Sequence, residues 1–591
     1  MSIVTLSKCS IVGPPDQKRE TLAQLQELGV FHVIPLARDY PADISYPEQA
    51  MRAVNYLNDC PEKLPARRTS PKLTFAELME QIEINKVATQ ELTDRKDDLE
   101  TYAASLRHWG YFRFPAPGEL GGLNLWFYRM PRGQLGLIRD DAPPWQVVGA
   151  DNWSVFVVAI SQDPPPDGAM PVPRMRTGRM DLHTLERALD EVEAELEALR
   201  DERADLTRYL PFLRRGLAAF NDGIAQARAS GEVLVEADFF VVQGWVPQAE
   251  QPALESFCHQ WGLAVCFEEP TEDDQPPTLL SNPPLFQGGE DLVGFFSTPG
   301  YRSWDPSITI FIAFGIFFSI ILGDAGYAGI FLIGLLWGWA RMGRSASARR
   351  LRTLGAWLTG GSLTAGVLLG SYFGLEPEEG SWLHDWQIAS PHDTETMIKL
   401  SLLLGVVHLS IANGVKLSRR WPHPTALAPL GWILVLWGGF LAYLNGGLIG
   451  KGIQLLEGGA LLILLFTGHY SPVSWKNVLA QLWEGIHAII HSTKVFGDTL
   501  SYLRLFALCL AGASLAQVFN DQGMQIIHSS GAFGIVFGPL VILIGHILNM
   551  MLSIMGGAVH GLRLNFIEFL SWADIEDGSP FNPLRKTASQ E

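Results

Sequence analysis

His546, Asn549, Ser553, Gly556, His560 and Arg563 follow one another at intervals of 3, 4, 3, 4 and 3 residues. That spacing stacks side chains on one face of an α-helix. Upstream, FGDTLSYLRLFALCLAGASLA (496–516) sets one arginine, Arg504, into a run otherwise suited to lipid. Imidazole, amide and hydroxyl groups in register can order water and pass a proton, whereas a guanidinium keeps its charge. Helical spacing also puts Gly497, Ser501, Arg504, Ala507, Ala511 and Ser514 on one face, small and smooth apart from the arginine. Small residues on a membrane helix normally admit a closely packed neighbour. A single charge among them suggests a surface that something moves past. Each residue also has a plainer explanation. A lone histidine or serine in a membrane helix commonly bonds a neighbouring helix. With Lys494, Asp498 and Ser501 just upstream, Arg504 could snorkel to the interface. A helix starting at Leu500 would leave it about 6 Å deep, one starting at Val495 about 14 Å. Six positions in register, ending on a second arginine, favour a hydrated path.

The elements that must carry these residues are apolar blocks near 307–323, 325–340, 353–373, 397–415, 425–444, 449–468, 495–519 and 533–567. Most match the ~20 residues that cross a hydrocarbon core, although the first two are short. The last is too long. From Phe533 to Arg563 it would rise about 45 Å against a core of about 30 Å, so it must tilt or bend, with Gly538–Pro539 the candidate bend. Eight spans put both chain ends on one side, and the basic residues agree. Arg341, Arg344, Arg349, Arg350 and Arg352 follow the second block, and Lys416, Arg419 and Arg420 follow the fourth. Lys476 and Lys494 precede the seventh, whereas EPEEGSWLHDWQIASPHDTET has no lysine or arginine and LNGGLIGKG has one. The N-terminus, the even-numbered loops and the C-terminus are therefore expected in the cytoplasm. Asp324, between the first two blocks, is expected to be a structural turn or cap. Gly447–Gly452 (GLIGKG) lacks the spacing and the hydroxyl residue of a phosphate loop. With no zinc-ligand cluster or nucleophile elbow, no metal or cofactor is expected.

The first 303 residues of the 591 are different in kind, rich in charge, proline and polar helix formers. Met1–Val12 has no basic start followed by an apolar run, so this half is expected to stay in the cytoplasm. The cysteines are scattered, which suits a reducing compartment. A formal charge of -18 argues against nucleic acid as a partner. Ser2–Leu36 reads as a β-α-β unit. T-F-A-E at Thr74–Glu77 is a capping box opening a helix to about Trp109. A second helix near 181–220 keeps a seven-residue repeat from Leu182 through Leu185, Leu189, Val192, Leu196 and Leu199 to Leu213, broken only at Arg203. Sustained heptads argue for a coiled coil. LNLWFYRM and WSVFVVAI then form one small α/β lobe, EVLVEADFFVVQGWVP and GLAVCFEE a second, and 268–303 a linker. The expected fold is an α+β cytoplasmic domain (1–303) with a long antiparallel coiled-coil hairpin, helices about 74–109 and 181–220. An all-α polytopic membrane domain (304–591) of about eight transmembrane helices follows.

GDTLSYLRLFALCLAGASLA resembles the seventh membrane helix of the a-type subunit, subunit I in bacteria, of vacuolar/archaeal-type rotary ATPases. HGLRLNFIEF resembles that family's second arginine site, and LGDAGYAG, GSYFG and LLLGVVHL its earlier membrane motifs. QGWVP, with the run from TLLSNPPLF to WDPS, resembles its passage from soluble domain to membrane. The resemblance implies a noncatalytic stator in the cell membrane, facing a rotating proteolipid ring whose carboxylates each carry one H⁺ or Na⁺. It also implies peripheral stalk subunits on the cytoplasmic domain and only indirect contact with the ATP-hydrolysing subunits. Arg504 matches the arginine that pairs with the ring carboxylate, Arg563 the supporting one, and His560 a polar position one turn earlier. His546, Asn549, Ser553, Gly556, Ser501 and Asp498 are then candidates for the lining of two aqueous half-channels. Two departures bear on their outlines: Ser553 stands where eukaryotic members commonly have glutamate, and Gly512 where they have histidine. Two other classes stay open. A secondary transporter would show repeated membrane halves, and no clear repeat is present. A purely structural anchor would leave the polar stripe idle.

Overall fold

The structure, a computed structural model, describes residues 2–37, 46–66, 73–110, 119–166, 168–175, 181–444, 449–468, 475–490, 492–529 and 531–587. Residues 445–448, the last two of which open the GLIGKG segment, lie outside the described residues. The chain divides into two compact units, Val12–Val242 with Pro583–Glu591, and Met1–Ile11 with Gln243–Asn582.

In chain order the first elements are β1 (Leu6–Gly13), α1 (Lys18–Leu28), β2 (His32–Ile34), α2 (Tyr46–Asn58) and α3 (Phe75–Arg107). β3 (Asn124–Pro131), β4 (Trp145–Ala150), β5 (Ser154–Ser161), α4 (Leu182–Leu206), α5 (Leu210–Glu232) and β6 (Leu234–Val235) follow. α3 starts where the capping box puts it, with Thr74 Oγ1 accepting from the Glu77 amide at 3.3 Å and Glu77 Oε2 accepting from the Thr74 amide at 2.7 Å. Asp181 caps α4 through the Thr184 amide at 2.7 Å. The two helices run in opposite directions. Asn85 meets Leu199 and Glu202, Lys96 meets Glu193, and Leu106 shares a core with Leu182 and Leu185.

The expected helix over 181–220 is interrupted. A 3₁₀ turn at Thr207–Tyr209 separates α4 from α5, which continues to Glu232. Pro211 is the physical reason, since it donates no amide hydrogen and its ring crowds the carbonyl four residues earlier. The exception in the heptads is also explained: the Arg203 guanidinium lies 3.9 Å from the centre of the Tyr56 ring on α2 and donates to the Tyr56 carbonyl. Beyond the helix pair, β3 and β4 flank β5 in an antiparallel sheet. Phe127 and Phe156 pack one of its faces on Trp109.

Asn85 is 1% exposed, donating to the Leu199 carbonyl at 3.1 Å and Glu202 Oε2 at 2.7 Å and accepting from the Tyr56 hydroxyl at 2.8 Å. Asn85→Leu strands these partners and is expected to cost about 1–3 kcal/mol. Hydrogen exchange on the full chain should show faster exchange over α3 and α4. Unchanged protection there would mean that the amide adds no net stability.

In the other unit β1 lies between β7 (Phe240–Pro247) and β8 (Ala264–Glu268), with α6 (Gln251–Gln260) joining the last two. Lys8 on β1 pairs with Asp274 at 2.9 Å, and with Thr271 it draws that carboxyl down to about 2. The expected linker 268–303 is ordered structure. It contains α7 (Gln287–Phe296) and β9 (Thr298–Pro299), which pairs antiparallel with β10 (Asp577–Gly578). Glycine makes this possible: a Cβ on Gly289 would lie 2.3 Å from the Ser307 carbonyl oxygen. The proline-rich composition gives no hint of such packing.

Helices make up most of the rest: α8 (Ser307–Leu322), α9 (Ala325–Met342), α10 (Ala346–Leu369), α11 (Thr394–Arg420), α12 (Leu427–Tyr443) and α13 (Ile449–Phe466). They continue with α14 (Trp475–Ile490), α15 (Ser492–Leu500), α16 (Leu503–Ser529), α17 (Gly531–Arg563) and α18 (Leu570–Ala573). Among the described residues five helical stretches are long and apolar enough to cross a membrane, namely Thr394–Arg420, Pro424–Tyr443, Ile449–Phe466, Asn477–Ser529 and Phe533–Ala573. α8 is shorter, apolar all round and largely buried, so it forms the centre of the bundle rather than its rim. α17 runs through Gly538–Pro539 without a break in its helix. The irregularity comes later, as a π-helical segment at Leu564–Phe569.

Asp324 is the structural cap expected of it. Its carboxylate is buried at the α8–α9 break and accepts from the amides of Tyr327, Phe373 and Gly374 and from the Ser371 hydroxyl, at 2.8–3.0 Å. Four donors satisfy an anion that would otherwise be costly to bury.

Candidate functional site

The helix carrying Arg504 is not continuous over 495–519. Ser501 and Tyr502 form a turn between α15 and α16, where the Arg504 amide bonds Ser501 and the Leu505 amide bonds Tyr502, at 3.3 and 2.9 Å. Arg504 therefore sits in the first turn of α16, where the helix dipole adds positive potential to its own charge. Tyr502 anchors the turn. It is fully buried, bonds His408 Nδ1 at 2.8 Å, and fits because position 405 on α11 is glycine, whose added Cβ would come within 2.8 Å of the ring.

α15 and α16 bury Val495, Tyr502, Leu505, Cys509 and Ala516, and leave the small-residue face on the other side. Gly497, Ala507 and Ala511 are exposed, and a Cβ on Gly497 would meet nothing within 4 Å. The small face is thus not covered by another helix of this chain among the described residues. Arg504 is half-buried on it, and its Nη1 is buried without a hydrogen-bond partner among the described residues.

His560 and Arg563 on α17 lie within electrostatic range of Arg504, as does Glu568, a residue the sequence reading passed over. The Arg563 side chain is 48% exposed and that of Glu568 2%, with Nε and Oε1 4.0 Å apart; Glu568 Oε2 and His560 Nδ1 have no partner among the described residues. Glu568 was missed for a geometrical reason. It stands five residues after Arg563, outside α-helical 3-and-4 spacing. The π-helical segment, whose hydrogen bonds close over five residues, brings it back towards the arginine. Nearby, Asp498 accepts from Trp572 Nε1 at 2.7 Å, and Ser501 Oγ bonds its own helix at the Gly497 carbonyl at 3.0 Å.

The rest of the stripe separates from this cluster. His546 Nδ1 meets the Tyr327 hydroxyl at 2.8 Å and its Nε2 meets Asn520 Oδ1 at 2.9 Å. Asn549 Nδ2 donates to the Tyr327 hydroxyl at 3.0 Å and to the Gly512 carbonyl at 2.8 Å. These two residues therefore form a hydrogen-bonded junction of α9, α16 and α17. Between the clusters come Ser553, mostly buried against Gly512, and Gly556, beside Leu508 and Ile321. Tyr327 and Asn520 carry no spacing signal, because they come from other helices. Among the described residues no group of three or more His, Cys, Asp or Glu side chains is placed to hold a metal.

The profile of the V-type ATPase 116kDa subunit family matches residues 480–585. V-type ATP synthase subunit I of Chlamydia pneumoniae is 28% identical, with 87% of each chain covered. The subunit of that name from Borreliella burgdorferi (strain ATCC 35210 / DSM 4680 / CIP 102532 / B31) is 25% identical over 99% of each. A crystal structure of the cytoplasmic N-terminal domain of subunit I, homolog of subunit a, of V-ATPase covers 44% of this chain and 99% of that one, at 15% identity. Its TM-score of 0.23 is too low to support any statement about fold. The chain is thus similar to these subunits across nearly the whole of both sequences, and the profile of the V-type ATPase 116kDa subunit family falls on the stretch that holds Arg504, Arg563 and Glu568.

Proposed function

We propose that this chain is the noncatalytic, ion-conducting stator of a rotary V-type ATPase, moving H⁺ or Na⁺ in step with ATP hydrolysis or synthesis elsewhere in the complex. One observation carries the proposal: a half-buried arginine lies on a small-residue face that no other helix among the described residues covers. Such a face suits close, sliding contact with another helix, and the arginine suits an anion on it. A ring carboxylate in a low-dielectric setting prefers its neutral, ion-loaded form. Arg504, effectively never deprotonated, favours the empty anion as it passes. The ion is displaced into one half-channel, and the carboxylate reloads only from the other.

Arg563 and His560 support that site. Glu568, with Asp498 and Ser501 beyond it, lines the half-channel at the cytoplasmic end. His546 and Asn549, with Ser553 and Gly556 leading inward from them, line the external one. Eight spans with both termini in the cytoplasm accommodate this order along α17. In the lobe built on β3–β5 Trp145, Val148 and Trp153 are exposed, an apolar surface suited to peripheral stalk subunits.

Vesicles holding this chain alone should be impermeable to H⁺ and Na⁺, and vesicles holding it with a proteolipid ring should conduct one of them. Conduction by the chain alone would favour a secondary transporter and overturn the proposal.

A further inference from the structure

α14 is a helix of 16 residues between two apolar stretches. At 100° per residue, Val478, Leu479, Leu482, Trp483, Ile486, Ile489 and Ile490 gather on one side, and Ala480, Glu484 and His487 on the other. In a water-soluble protein the apolar side would be covered. Here Leu479 is 55%, Trp483 69%, Ile486 42% and Ile490 65% exposed.

The way α14 meets α13 shows what lies against that side. Gln481 donates to the Leu465 carbonyl, and a Cβ on Gly485 would come within 2.4 Å of the Leu464 carbonyl oxygen. Two positions a turn apart on α14 thus touch adjacent residues at one end of α13. α14 crosses the end of that span instead of running along it. On α13 itself Leu461 and Leu465, at the same end, are 54% and 41% exposed. The bare side of α14 is continuous with the lipid-facing surface of a membrane-spanning helix.

We infer that α14 is an interfacial helix lying in the plane of the membrane, its apolar side set between headgroups and acyl chains at the level where α13 ends. The occupant of this face is the bilayer itself, as for other helices with one strongly apolar and one polar side. The inference rests on α13 being a span, which is why Leu461 serves as the control below.

Nitroxide labels tied to single cysteines test it in the assembled complex in phospholipid vesicles, with the exposed native thiol removed by Cys266→Ser. Labels at Leu479, Trp483, Ile486 and Ile490 should collide with oxygen in strong preference to a water-soluble nickel chelate, all at one shallow depth, roughly 5–10 Å below the headgroups. Labels at Ala480 and Glu484 should show the reverse preference, and Leu461 should be the deepest. Depth rising steadily from Leu479 to Ile490 would make α14 a tilted span and overturn the inference. So would a Trp483 label shielded from both reagents, which would mean a protein partner, or one as open to nickel as Glu484. Nickel access at Leu461 would show instead that the reading of α13 as a span had failed.

Discussion

Arg504→Lys is expected to abolish ATP-driven ion uptake into reconstituted vesicles while the complex still assembles and hydrolyses ATP. A loss of at least a hundredfold follows from the change in chemistry more than from the loss of size. Lysine is a compact point charge that sheds its proton on burial, whereas the guanidinium stays charged and offers several donors in a fixed plane. In the first turn of α16 the cation also works with the helix dipole, and Tyr502 behind it fixes the backbone. The substitution leaves Gly497, Ala507 and Ala511 unchanged, so the surface offered to a sliding neighbour keeps its shape. Uptake of labelled Na⁺, or quenching of a pH-sensitive dye, measured beside ATPase activity on one preparation separates coupling from assembly. Uptake within a few-fold of wild type would remove Arg504 from the centre of the mechanism.

Glu568→Gln should have the second-largest effect, lowering uptake by about tenfold to a hundredfold, with Glu568→Asp retaining part of it. The side chain is 2% exposed, 4.0 Å from the Arg563 guanidinium, with its second oxygen unpartnered among the described residues. An anion buried that deeply beside one half-exposed arginine is expensive to hold by structure alone. A glutamine fills the same space but can neither take up nor release a cation. If Glu568 were only a packing group, glutamine would preserve transport and aspartate, shorter by a methylene, would harm it more. That order of effects would remove Glu568 from the ion path.

Much of this was legible in the one-dimensional pattern, because local spacing reports local structure. The capping box at Thr74 and Glu77 places a helix start without help from the rest of the chain. Five of the apolar blocks fall on described helices long and apolar enough to cross a membrane, where lipid would force backbone polar groups to pair within each segment. Intervals of three and four put His546 through Arg563 on one face of α17 before any contact was known. Asp324, followed by small residues between two apolar runs, reads as a cap from its neighbours alone.

What the sequence could not decide depends on atoms from distant segments. Pro211 was visible, but the apolar heptads around it concealed the break that it causes. The hidden order in 268–303 arises where glycine lets α7 approach Ser307. The stripe on α17 becomes two clusters only because Tyr327 and Asn520 arrive from α9 and α16. Glu568 joins Arg563 through a π-helical segment that no α-helical periodicity can reveal. Residue types and their spacing thus determined which chemistry was on hand: a permanent cation, imidazoles, amides and one unnoticed carboxylate. Only the tertiary structure decided which of them share a site, because a buried charge is tolerated where other helices bring it a partner or leave it facing one.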